Sequence, residues 1–206
     1  MHTREDIFTE AETADDTLAN LGPLRPLAGA WAGSGGTDVH PSADGAETDP
    51  YAETFVLQAI DAQANGPQAL YGLRYHQHVL KPGEDATFHD QIGHLIWEPA
   101  TGLITMSLSI PRAQVALAGG YAEPDARRFT LTAERGSTEF GISSGPFLEK
   151  QFTTQRWQVT VFIDSDDQWR YEQTTTLLVH GSEPFEHTDA NTLVRTGPAL
   201  PNPLAG

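Results

Sequence analysis

The stretch LYGLRYHQHVLKPGEDATFHDQIGHLIW, residues 70–97, decides how this chain reads. Two runs of strand-forming composition flank KPGEDA, whose Pro82, Gly83 and Asp85 are turn formers, so the segment reads as a β-hairpin. Four of the eight histidines lie in it, His76, His78, His89 and His94, with Tyr75, Gln77, Asp90 and Gln91 among them. Polar side chains at that density, on strands otherwise built from Leu, Ile, Val, Phe and Trp, must face either water or a polar-lined cavity.

Outward from the hairpin, strand follows strand. From residue 51 onward, segments 51–60, 69–79, 88–97, 103–110, 114–118, 128–133, 152–163, 169–179 and 185–194 have strand character, punctuated by turn residues at 98–102, 164–168 and 180–184. Alternation is clean in 103–110, where Ile104, Met106, Leu108 and Ile110 share one face and Thr105, Ser107 and Ser109 the other. Trp157, Val159, Val161 and Ile163 likewise oppose Gln158, Thr160 and Phe162, less perfectly because of Phe162. With a strand around Trp31, about ten strands and almost no helix predict an all-β fold, an antiparallel up-and-down barrel of the lipocalin or fatty-acid-binding type. Residues 37–50 read as a Pro/Gly/Asp loop that keeps one face wet. Residues 3–20 read as weakly helical, with Ile7, Ala11, Ala14, Leu18 and Leu21 at mixed spacing. The expected organisation is a helical cap over 1–23, a barrel over 24–197 and a tail over 198–206. Trp31 and Trp97 are expected in the core.

Composition narrows the partners. The 206 residues, 38% apolar with 19 glycines and 14 prolines, suit one turn-rich domain. A net charge of −16 with only 12 basic residues argues against a nucleic-acid or anionic-membrane surface. With no cysteine, disulfides, thiolate metal sites and thiol chemistry are excluded. The acidic N-terminal segment is not a secretory leader, and no apolar run is long enough to span a bilayer, so a soluble cytoplasmic protein is expected. The partner expected is a small molecule, with a homodimer the one protein assembly left open. GAWAGSGG, residues 29–36, is not followed by a helical pattern and is no phosphate loop, and GISSG, residues 141–145, is no nucleophile elbow.

Three segments, in order, carry a family resemblance. Gly29-Ala30-Trp31-Ala32-Gly33-Ser34-Gly35 looks like an opening strand. Gly93-His94-Leu95-Ile96-Trp97-Glu98-Pro99, on through Gly102 to Ile110-Pro111, looks like a central hairpin. His187-Thr188-Asp189-Ala190-Asn191-Thr192-Leu193-Val194-Arg195 looks like a closing strand. Together they make roughly residues 24–197 similar to the nitrobindin-like branch of the fatty-acid-binding-protein-like barrels. That resemblance implies an enclosed ligand, haem in the best-understood members. There a histidine of the closing strand ligates iron, and the haem acts on nitrogen oxides, including isomerisation of peroxynitrite to nitrate. His187 would be that histidine. It stands one residue further from Leu193 than the family spacing, which puts Thr188 at the family position unless a bulge absorbs the difference.

The candidate ligand-binding residues are Arg74, Tyr75, His76, His78, His89, Asp90, Gln91, His94, Asp189, Asn191 and Arg195. His187, Asp189, Asn191 and Arg195 share one strand face, as do Arg74, His76 and His78. An inward arginine would anchor a carboxylate, the alternative for Arg195 being a structural plug that closes the barrel end. Of the two faces of 88–97, Phe88, Asp90, Ile92, His94 and Ile96 are the more apolar set. They are therefore expected inside, with Asp90 and His94 satisfying each other or a ligand. His89 and Gln91 occupy the opposite face. Cα atoms of His76 and His78, roughly 6.5–7 Å apart, allow a shared metal, with Glu84 downstream. Three functions are thus in play. The first is binding of a small hydrophobic, carboxylate-bearing ligand. The second is haem chemistry through His187, and the third is a metal on His76 and His78.

Overall fold

The computed structural model describes residues 6–202. The expected helix over 3–20 begins outside those residues, and within them it shrinks to α1, Thr17–Asn20, capped by the Asp16 carboxylate on the Ala19 N–H at 3.0 Å. Residues 6–16 form no helix. A run this polar has too little apolar stripe to offset the cost of nucleation, and it is held instead by the Ala11 N–H on the Gly66 carbonyl and the Ala14 N–H on the Tyr71 hydroxyl. A 3-10 helix, Gly22–Leu27, follows and crosses the expected boundary after residue 23.

Twelve strands follow: β1 Gly29–Ser42, β2 Gly45–Ala59, β3 Gln63–Asn65, β4 Gln68–Leu80, β5 Thr87–Glu98, β6 Leu103–Ile110, β7 Gln114–Tyr121, β8 Arg128–Arg135, β9 Gly141–Ser144, β10 Phe152–Ser165, β11 Gln168–Val179 and β12 Pro184–Gly197. One short helix, α2, Pro146–Gln151, stands between β9 and β10. Neighbours in sequence pair as antiparallel hairpins, β12 returns to β1, and β2 pairs with β4 from Ala52↔Leu80 to Ala59↔Leu73, so the sheet closes. β3 adds only to β4. The wall is therefore β1, β2, β4 to β8 and β10 to β12. One departure from a purely antiparallel barrel occurs where β7 and β8 diverge and meet only at Gly119↔Thr132. β9 fills that gap, antiparallel to β7 and parallel to β8.

The expected loop at 37–50 is a hairpin arm. The β1–β2 ladder runs on from Thr37↔Pro50 to Ser42↔Gly45. Backbone pairing needs no apolar side chains, so a polar sequence at a barrel rim hides a strand. Gly93 shows the closeness of the wall in the deciding hairpin: a Cβ there would lie 1.9 Å from the Ser107 carbonyl oxygen.

One half of the barrel is solid. Trp31, Phe55, Leu57, Leu73, Leu95, Trp97, Ile104, Leu131, Trp169 and Leu193 fill it, and Leu21, Leu24 and Leu27 of the cap seal its end. Trp31 and Trp97 are core, as expected. Arg195 finishes the seal. Its Nη1 donates to the Ala28 carbonyl at 2.8 Å, its Nη2 to those of Pro26 and Asp166 at 3.0 and 2.6 Å, and its guanidinium lies 4.1 Å from the Trp31 ring centre. Arg195 is thus the structural plug rather than an anchor in a cavity. Arg195→Met keeps the stem and removes these charged hydrogen bonds. Urea unfolding should show a loss of about 2–4 kcal/mol with an unchanged m-value.

Candidate functional site

The other half of the barrel is hollow. A cavity of about 640 Å³ opens at the end formed by the β1–β2 arm, the β6–β7 turn and α2. Its apolar rim comprises Val79, Phe88, Ile110, Phe147, Phe152 and Leu177; its polar lining includes His89, Gln91, Gln173, His187 and Asp189. A second void of about 40 Å³ lies deeper, against the packed core. A wider open groove of about 970 Å³ runs along the outer surface past Val56, Ile92, Val115 and Leu117. Tyr51, His89, Tyr171 and His187, whose protonation is shifted by burial and neighbouring charge, line the interior cavity, which is therefore the functional candidate.

Strand alternation sorts the expected residues. On β4, Tyr71, Leu73, Tyr75, Gln77 and Val79 turn inward, while Arg74, His76 and His78 turn out. On β5 the inward set is His89, Gln91, Gly93, Leu95 and Trp97, and Asp90, Ile92 and His94 face away. The apolarity of the second set misleads because Ile92 is a surface residue bordering the outer groove. Outside, His76 bonds Asp90 at 2.9 Å, His78 bonds the Thr87 hydroxyl at 2.9 Å, and Arg74 donates to Gln58. Asp90 and His94 therefore do not pair, and His76 and His78 have separate partners. Glu84 sits in the exposed β4–β5 turn. On β12, His187, Asp189, Asn191 and Leu193 point inward. The β11–β12 ladder runs without a bulge from Gln168↔Val194 to Leu178↔Pro184, so His187 and not Thr188 faces the cavity.

Below the cavity the polar groups form a connected floor. Glu53, on β2, accepts Gln77 Nε2 at 2.6 Å, Asn191 Nδ2 at 2.8 Å and the Tyr171 hydroxyl at 3.0 Å. The Tyr51 and Tyr171 hydroxyls are 2.7 Å apart. Burial pushes Glu53 up to about 7 against the pull of its three donors. Tyr75, beneath, accepts from Gln91 and donates to the Ser107 carbonyl. Burial pushes His89 down, leaving a neutral ring with one donor and one acceptor nitrogen. His187 is the opposite case. Burial alone would lower it, but the carboxylates of Asp189 and Asp38 outweigh that and hold it up at about 10, with Nε2 donating to Asp38 Oδ1 at 2.7 Å.

Sequence reasoning missed Asp38, His40, Tyr51, Glu53 and Tyr171. Asp38 and His40 lie in the segment read as loop. Glu53 did leave a signal: it is the one charge on the face Tyr51, Glu53, Phe55, Leu57, Ala59.

A closed β-barrel, packed solid at one end and holding a polar-floored cavity at the other, defines a ligand-binding barrel. Residues 20–195 match the family described as the THAP4-like, heme-binding beta-barrel domain, and the chain belongs to it. Among solved structures it is similar to Rv2717c from M. tuberculosis, at 20% identity and a TM-score of 0.60 over 90% of this chain and 99% of that one. It is also similar to the S-type phycobiliprotein lyase CPES from Guillardia theta, at 10% identity and a TM-score of 0.45 over 84% of this chain and 89% of that one. No curated protein matches the sequence. No helix among the described residues is long and apolar enough to cross a membrane.

Glu53 makes stability pH-dependent in a defined direction. Its folded pKa lies above its ordinary value of 4.5, so its contribution is fully present below about 4.5 and is lost as pH rises through about 7. In Glu53→Gln, Gln77 can turn its amide to donate and accept as needed, and this slope disappears. The stability difference between wild type and variant should shift toward the variant from pH 5 to pH 8 by on the order of a few kcal/mol in chemical unfolding.

Proposed function

We propose that this chain binds a small organic ligand inside the barrel, with an apolar body and an uncharged hydrogen-bonding group. The observation that carries this is the pairing of an aromatic rim, Phe88, Phe147 and Phe152, with an inner lining of neutral His89 and the amides of Gln77, Gln91 and Gln173. A volume of about 640 Å³ falls within the range of small-molecule sites. Trp169, bordering the deeper void, has a buried indole N–H with no acceptor among the described residues, which adds a donor at that depth. In this reading His89, Gln91 and Asp189 contact the ligand, and Asn191 and Tyr75 hold the floor beneath them.

A carboxylate on the ligand finds less support. The proposed anchors Arg74 and Arg195 lie outside the cavity, whereas Asp38, Asp189 and Glu53 point into it or lie against it. Arg112 is the guanidinium at the mouth, and it donates to the Phe88 carbonyl.

Haem, named in the family description, was tested against the donor set. An axial histidine must have its iron-facing side open to a flat macrocycle. His187 Nε2 is instead flanked by Asp38 at 2.7 Å and Asp189 at 3.6 Å, two carboxylates on the side that a haem face would have to cover. The residues present do not fit a haem ligated by His187, and no step is derived through one.

Two measurements check this reading. Nile red, an uncharged solvatochromic dye, should bind with one saturable site and a blue-shifted emission. Thr175→Trp, which fills the cavity, should weaken it at least tenfold with the melting temperature kept; a dye that does not saturate overturns the reading. Titration with haemin should give no Soret band of a histidine-ligated haem. A band that appears and vanishes in His187→Ala restores the haem assignment.

A further inference from the structure

At the mouth, β1 and β12 each present an alternate pair of metal-ligating side chains to the same space: Asp38 and His40 from one, His187 and Asp189 from the other. The ladder sets Asp38 directly opposite Asp189. Like charges at directly opposed positions of a sheet destabilise it, and positive charge held between them relieves the repulsion. Asp38, moreover, is buried, its side chain only 4% exposed. His187 Nε2 sits between the two carboxylates, 2.7 Å from Asp38 Oδ1 and 3.6 Å from Asp189 Oδ2. On the other side His40 Nδ1 is buried and makes no hydrogen bond, although it lies 3.2 Å from Asp38 Oδ2. Among the described residues, Asp38, His187 and Asp189 are the group of three whose ligand atoms all lie within 4.8 Å of one another.

We propose that Asp38, His40, His187 and Asp189 form a mononuclear site for a divalent first-row transition cation at the cavity mouth. Two imidazoles and two carboxylates are a donor set that such cations accept. At metal–ligand distances of about 2.1 Å, the edges of a tetrahedron are about 3.4 Å; the His187–Asp189 separation is already 3.6 Å, and His40, which stands outside the close group of three and 3.2 Å from the other Asp38 oxygen, turns toward the ion to complete the set. The 2.7 Å contact opens by under an ångström when the ion enters. On binding, His187 releases its Nε2 proton to solvent, and Asp38 changes from accepting that hydrogen bond to donating an electron pair to the metal. An outer partner is in place to hold Asp189, and a carboxylate stands near His40. Gln173 Nε2 donates to Asp189 Oδ2 at 2.9 Å, and Glu47 stands 4.0 Å from His40 Nε2, on the far side of the ring from Nδ1. The site is distinct from the haem-iron role considered for His187 and from the outward His76 and His78 pair. It does not rest on the organic-ligand reading, since the β1–β12 ladder supplies the donors whether or not the cavity is filled.

The test uses full-length protein stripped with a chelator and titrated calorimetrically with Zn²⁺. A parallel titration with Co²⁺ is followed by its visible absorption. One equivalent should bind with a Kd in the micromolar range or tighter, and Co²⁺ should give the intense bands of a four-coordinate N/O site. His187→Ala and His40→Ala should each weaken Zn²⁺ at least tenfold, while the control His76→Ala/His78→Ala leaves it unchanged. His40 is partly exposed, so His40→Ala keeps the test decisive if the variant at 187 does not fold. Absence of Zn²⁺ binding at millimolar concentration overturns the proposal. So does binding unaffected by His40→Ala, or binding lost in the His76/His78 control. Nile red binding is read separately, so failure of the metal site and failure of the organic-ligand site are distinguishable.

Discussion

Arg195 brings three distant pieces of chain into one contact: the end of the cap, the β10–β11 turn and the closing strand. A guanidinium can do this because it carries five donors in a fixed plane and never loses its charge. The carbonyls of Pro26 and Ala28, at the edge of the packed core, and of Asp166, in the exposed β10–β11 turn, are thereby tied to one group. With that end tied and filled by Trp31, Trp97 and the cap leucines, the stability of the molecule is concentrated in one half. The other half can then keep an open, polar-lined interior, at a cost the packed half offsets.

The hollow half holds an unusual excess of acid. Asp38, Glu53 and Asp189 all project inward, in a protein whose outer charge is already strongly negative. Each is handled differently. Glu53 takes three donors in a dry setting that still favours its protonated form; Asp189 takes an amide and shares His187; Asp38 lies between two histidines. A fatty-acid barrel would place cations where this one places carboxylates. The electrostatics of the interior, more than its shape, separate this chain from a carrier of anionic lipids.

Much of the fold was legible because alternation in 103–110 and 152–163 follows directly from a sheet wet on one side. Alternation also put His187, Asp189, Asn191 and Leu193 on one face of the closing strand, though not which way that face turns, and aromatic size placed Trp31 and Trp97 in the core. Failures occurred where burial and apolarity part company. β5 turns its more apolar face outward, because Ile92 borders a surface groove while Gln91 is buried against Tyr75. The arm at 37–50 pairs through its backbone and shows no apolar stripe, so Asp38 and His40 were hidden with it. Tyr51, Glu53 and Tyr171 meet only through the rolled sheet, across 118 and 120 residues of chain. No local pattern encodes such a meeting.

The pairing of β1 with β12 also has a temporal side. His187 reaches Asp38 across 149 residues, so the two halves of this constellation come together only on folding. The opposing acids meet only when the last strand docks and the cylinder shuts. Whatever settles at that seam does so on a closed barrel, and its arrival acts as a clasp on β1 and β12 together.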